Sequence, residues 1–167
     1  GKIPLSAADA AFAGAVDAAQ LMAASAAEAG MEIEVIREPK DGYWSNVWNN
    51  DAKGWCACYW GGRPTEDWMF KTAYVADSKW NDTAWKTTDA AVTFNKLVKE
   101  ARAELDNNKR RELYYECQRL IYDDGGLICP IFNSYVSANS KAVATDENIA
   151  ANWDSDGGKC TERWWFA

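Results

Sequence analysis

The sequence predicts an α/β fold, with an open mixed, largely parallel sheet covered by helices, on three observations. Strand-like and helix-like patterns alternate through the first third of the chain. Successive strands are joined through helical stretches, which is how parallel strands must be connected. Two long amphipathic stretches then follow with only a short break, ready to cover a sheet.

Lys2 to Ala8 reads as a strand leading into an alanine-rich helix from about Ala11 to Ala29. Phe12, Val16, Ala19, Met22 and Ala26 recur at steps of three and four, laying an apolar stripe along one face, and Gly30 supplies the left-handed terminating position. Met31 to Arg37 alternates, with Met31, Ile33 and Val35 on one side and Glu32, Glu34 and Ile36 on the other, as in a half-buried strand. After Pro39, the stretch Asp41 to Asn50 has Trp44, Val47 and Trp48 at helical spacing. Trp55 to Trp60 follows as a further strand, emptying into a turn at Gly61-Gly62. A tryptophan-bearing, loop-rich stretch runs on to about Asp89.

Phe94, Leu97, Val98, Ala101 and Leu105 mark one helical stripe; Leu113, Cys117, Leu120 and Ile121 mark the next. The second helix is capped near Asp106 or Asn107 and ends at Gly125-Gly126, so the pair should form a hairpin against the sheet. Leu127 to Ala138 is strand-like, with Pro130 predicting an edge position or a bend. From Ser140 the chain turns polar and loop-like, and it closes on Trp164-Trp165-Phe166, read as packing residues.

Composition narrows the function. At 167 residues, 48% of them hydrophobic, the chain is about the size of one domain with a real core. A net charge of −7, with Lys and Arg spread along the chain, disfavours nucleic acid. No apolar run approaches the ~20 residues of a bilayer span, so no membrane insertion is expected. The Gly-Lys start without a signal-peptide pattern suggests a processed or truncated product. With no histidine, the commonest general base and transition-metal ligand is missing, and no metal site or cofactor is expected. No GxSxG elbow or phosphate loop is present, and the acidic pairs Glu66-Asp67 and Asp123-Asp124 are sequence neighbours that diverge in space, so no enzyme is expected. The five cysteines include no CxxC pair; Cys117 and Cys129 could bridge in an oxidising compartment or remain small buried thiols.

The strongest functional signal lies between residues 54 and 70. Trp60 offers a flat apolar face, Gly61 and Gly62 permit close backbone approach, and Arg63 adds a planar donor fork for a carboxylate-like group. The competing reading of Arg63 is a surface ion pair with Glu66 or Asp67. Trp44 and Tyr43 either pack the short helix or face a cleft. Ten tryptophans raise the alternative of a carbohydrate-binding module using tryptophan platforms, but such sandwiches need many short strands at regular spacing.

Four stretches together carry a resemblance: Tyr43-Trp-Ser-Asn-Val-Trp-Asn-Asn50, Tyr59-Trp-Gly-Gly-Arg-Pro-Thr-Glu-Asp67, Lys79-Trp-Asn-Asp82, and Ala101 through Leu120 with its Ala-Arg-x-Glu-x-Asp-x-x-Lys-Arg pattern. The chain resembles family 5 extracellular solute-binding proteins, the peptide-type receptors of bacterial ABC importers. The resemblance implies a periplasmic-binding-protein-like second lobe. Residues 1–140 would be the C-terminal ligand-binding lobe of a longer two-lobed receptor, and residues 141–167 a polar tail returning to the first lobe. It further implies a receptor that is monomeric at full length and located in the periplasm, or on the cell surface as a lipoprotein in a Gram-positive source. Such a receptor carries a peptide-like or other small solute to a membrane permease. Where peptide-binding members carry an aspartate for the ligand's ammonium, this chain carries Arg63. Either Glu66 or Asp67 substitutes, or the solute is anionic. The implied ligand-binding set is Trp60, Gly61, Gly62, Arg63, Asp67 and Trp44.

Overall fold

The computed structural model describes residues 1–150 and 152–167. Strand β1 (Ile3–Ala7) runs through helix α1 (Ala15–Glu28) into β2 (Ile33–Arg37), and the short helix α2 (Tyr43–Asn46) leads to β3 (Trp55–Cys56). The three strands form a parallel sheet in the order β2-β1-β3, with Ile3 opposite Ile33 and Leu5 opposite both Val35 and Trp55. Leu5, Ala7 and Ala19 are buried between sheet and α1, joined by Val16, Ile33 and Val35, so the alternation in β2 and the inner stripe of α1 meet as expected. Gly30 takes the left-handed conformation that ends the helix.

Several boundaries differ from expectation: β2 begins at Ile33, leaving Met31 exposed outside it, and α2 is confined to Tyr43–Asn46. Helix α1 begins at Ala15, because Ala8 to Phe12 form turns that bury Ala8 and Ala11 against Tyr43 and Val47, and Phe12 is left outside the stripe. Strand β3 stops at Cys56, because the Ala57 carbonyl accepts the Tyr43 hydroxyl at 2.7 Å instead of extending the ladder.

The second half builds its own core. Helix α3 (Glu66–Met69), capped by the Thr65 side chain, passes into a wider turn at Phe70–Tyr74. Helices α4 (Asp89–Ala103) and α5 (Asn107–Asp124) then pair as a hairpin, with Asp106 accepting from the amides of Asn108 and Lys109 as the foreseen cap. Phe70, Tyr74, Trp85, Phe94, Val98, Cys117 and Ile121 bury together, and no strand residue belongs to this cluster. The hairpin therefore packs on the 70–85 segment and not on the sheet. Leu105 falls in the link after α4 ends and is 91% exposed, outside the stripe assigned to it. The hairpin's far end is closed by Asp124, which accepts from the Trp85 indole at 2.6 Å and from the Thr88 hydroxyl that caps α4. Asn81, buried in the loop, donates to the carbonyls of Tyr74, Val75 and Trp85.

Leu127 to Ala138 is extended but forms no strand, because no neighbouring strand stands beside it among the described residues; Phe132 is 94% and Val136 92% exposed. In the tail, β4 (Val143–Ala144) pairs antiparallel with β5 (Trp165–Phe166). The closing aromatics are not the packing residues the sequence suggested: Trp165 and Phe166 are exposed, while the Trp164 indole donates to buried Asp156 at 3.3 Å. Asp156 also accepts from Arg163 at 2.8 Å and the Ala150 amide at 2.7 Å. All five cysteines are free, Cys117 inside the hairpin core and Cys129 exposed, so no bridge joins them. No sandwich of short strands, the scaffold a carbohydrate-binding module would need, is found among the described residues.

Candidate ligand-binding site

Beyond β3 the chain runs extended through Cys58 to Arg63 at the carboxyl end of the sheet, where ligands of open α/β sheets bind. What positions it is a carboxylate from another loop. Asp82 Oδ2 accepts from the indole Nε1 of Trp48 at 2.7 Å and of Trp60 at 3.0 Å, with the Cys58 thiol 3.7 Å away. Around this point the rings interlock: Trp48 meets Trp60 edge-on at 6.0 Å and Trp44 at 5.8 Å, and stacks on Trp80 at 5.7 Å. Trp44 also meets Tyr59 edge-on at 5.6 Å, and its indole donates to the Ala10 carbonyl at 3.1 Å. Trp44 is thus a partly exposed member of the cluster, anchored to the loop before α1.

Arg63 does not pair with Glu66 or Asp67. Its guanidinium lies 5.8 Å from the centre of the Trp60 ring, and Nη1 donates to the Gly61 carbonyl at 2.7 Å. Asp67 faces the hairpin: Arg102 Nε stands 3.3 Å from Oδ1, and the Tyr114 hydroxyl donates to the same oxygen at 3.1 Å. The Tyr114 phenol is pushed up to about 12, by burial first and by that hydrogen bond to a carboxylate second. Asp67 therefore fastens α3 to α4 and α5.

Gly61 is covered from the tail, and Gly62 is approached by the segment after α5. A Cβ at Gly61 would stand 2.8 Å from the Trp153 ring, and one at Gly62 would stand 3.9 Å from the Tyr135 hydroxyl. The rings of Tyr135 and Trp153 lie 6.0 Å apart. Of the six residues assigned from sequence, Trp60, Gly61, Gly62 and Arg63 share one edge, Trp44 joins through the aromatic cluster, and Asp67 stands apart. Sequence reasoning missed Asp82, Trp48, Trp80 and Trp153; Asp82 and Trp80 were within reach, since both stand in the Lys79-Trp-Asn-Asp stretch.

The Cys58 thiol at this edge is a weak nucleophile. Burial, then the Asp82 carboxylate, push the Cys58 thiol up to about 12, which keeps it protonated and poorly nucleophilic. Among the described residues no group of three or more acidic or thiol side chains is placed to hold a metal ion. On the other side of Trp48 opens a polar cleft of about 530 Å³, lined by Ser45, Asn49, Asp51, Lys79 and Lys86 among others.

No protein-family profile and no curated protein sequence matches the chain. Solved structures do. CtaP, an ABC transporter substrate binding protein from Listeria monocytogenes, superposes with a TM-score of 0.57 at 17% identity, over 74% of this chain and 25% of that one. NikZ from Campylobacter jejuni, solved in complex with Ni(L-His), gives 0.56 at 13% identity, over 75% and 25%. The chain spans about a quarter of the length of either structure. Identities this low speak to fold alone: the chain folds like a segment of each of these two structures.

Proposed function

We propose that this chain forms one wall of the substrate-binding receptor of an ABC import system, gripping a small peptide-like or anionic solute and passing it unaltered to a membrane permease. The observation that carries the reading is the fold likeness to CtaP, a substrate binding protein of such a transporter. The aromatic edge after β3 supports it, since it gathers indole faces, a guanidinium and two glycines at the carboxyl end of a parallel sheet. In this reading residues 1–140 are the ligand-binding lobe and 141–167 the tail that returns to a first lobe; the receptor is monomeric and works in the periplasm or at the cell surface. No helix among the described residues is long and apolar enough to cross a membrane.

A thermal-shift screen of the receptor carrying this chain, against peptides, opines, sugars, small anionic solutes and Ni(L-His), tests the reading. A solute at a hundred times its Kd should stabilise by about 2.7 kcal/mol and be recovered unchanged. Turnover of the bound solute, or no stabilisation by any class, would overturn the proposal.

A further inference from the structure

Gly61 is closed to any side chain, and what closes it belongs to the protein. The Trp153 ring lies where a Cβ would go, with two ring carbons 2.8 and 2.9 Å from that position. Trp153 comes from the tail, some ninety positions further along the chain, yet it reaches the same glycine whose carbonyl holds Arg63. Arg63 Nη1 stands 3.4 Å from that same Cβ position, so the guanidinium, itself 5.8 Å from the centre of the Trp60 ring, and the Trp153 ring, with Tyr135 beside it, share one side of this glycine. Trp153 is 46% and Tyr135 47% exposed, so both keep apolar area in solvent that core packing would have buried.

We infer that Trp153 is a ligand-facing, specificity-determining residue of this site, and that it takes a solute bearing a flat apolar group next to a carboxylate. The inference rests on the receptor reading above. A planar group laid on the exposed part of the Trp153 ring, which itself covers Gly61, meets an indole from the tail, while the neighbouring Arg63, with one N–H committed to the Gly61 carbonyl, keeps donors for an adjacent anion. An indole suits this task because it offers a large rigid face at low entropic cost.

The test uses the receptor carrying this chain with N-acetyl-L-phenylalanine, a flat ring next to a carboxylate with no ammonium, and N-acetyl-L-alanine as the ringless control. Wild type should bind the phenylalanine derivative saturably in calorimetry. Trp153→Ala should bind it roughly tenfold more weakly. Trp153→Phe should keep most of the affinity, and the alanine derivative should respond little to either change. Unchanged or tighter binding by Trp153→Ala overturns the inference, as does no saturable binding of N-acetyl-L-phenylalanine to wild type. A solute from the wider screen that stabilises wild type and Trp153→Ala equally defeats the role of Trp153 while leaving the receptor reading intact. Failure of every solute on wild type defeats the receptor reading itself.

Discussion

Asp82 shows how much one side chain organises at the scale of a residue. Its Oδ2 gathers indole donors from the loop after α2 and from the edge after β3, so removing it leaves two partly buried N–H groups without their acceptor. Asp82→Ala should destabilise the fold by about 1–3 kcal/mol in urea denaturation, and Asp82→Asn, which keeps an acceptor, by less. Equal losses for both would show that charge, not hydrogen bonding, holds the rings. The thiols offer a second check. Cys117 is fully buried and pushed up to about 12 by that burial, half-buried Cys58 is pushed up to about 12 by burial and then by Asp82, and Cys129 is exposed. Iodoacetamide at pH 8 should therefore label Cys129 well before Cys58 or Cys117, read by peptide mass spectrometry. The residues of this hub stand in the sequence, but their pairing does not. An aspartate in a loop is a capping or turn residue until tertiary contacts bring distant donors to it, and the contacts of Asp67 were hidden for the same reason: Arg102 and Tyr114 approach it only once the hairpin folds.

At the scale of elements, the local signals were the reliable ones. The stripe of α1 from Val16 onward, the alternation from Ile33 in β2, the Asp106 cap and the left-handed Gly30 are all set by residues two to four positions away, and the structure keeps them. What the hairpin packs against depends on distant residues, and the sheet was the wrong guess. Phe94, fully buried among Phe70, Trp85 and the α5 stripe, measures that separate core: Phe94→Ala should cost about 3–5 kcal/mol by denaturant titration. The sheet carries its own polar clamp. Buried Ser6 on β1 donates to Glu38 at 3.1 Å just beyond β2, and Lys53 before β3 reaches the same oxygen at 3.0 Å. The Lys53 hydrogen bond, more than the one from Ser6, holds the Glu38 carboxyl below its ordinary 4.5. A carboxylate with a lowered folded pKa stabilises the fold above its unfolded value, and that contribution disappears as pH falls through the folded pKa. Stability measured from pH 6 downward should thus fall below about pH 4.5 less steeply in Glu38→Gln than in wild type, and identical slopes would assign the acid sensitivity elsewhere.

At the scale of the whole molecule, the segment after α5 ties fold to function. From Leu127 to Asn139 no backbone N–H meets a backbone carbonyl among the described residues, and Ile128, Ile131, Phe132 and Val136 stand exposed. The strand pattern there was legible, but a strand is defined by its neighbour, and these residues supply none. Such an edge is a template for pairing, and under the proposed two-lobed receptor the pairing strand would come from the other part of that receptor. Amide hydrogen exchange separates the two cases. In the chain of 167 residues on its own, amides 127 to 139 should exchange with little protection, while those of α4 and α5 are retained. In the receptor carrying this chain, the same amides should become protected as alternate N–H groups enter a ladder. Protection of these amides in the chain alone would mean that it satisfies this edge by itself, and fast exchange in both would leave the exposed apolar row without the partner that the proposed two-lobed receptor requires.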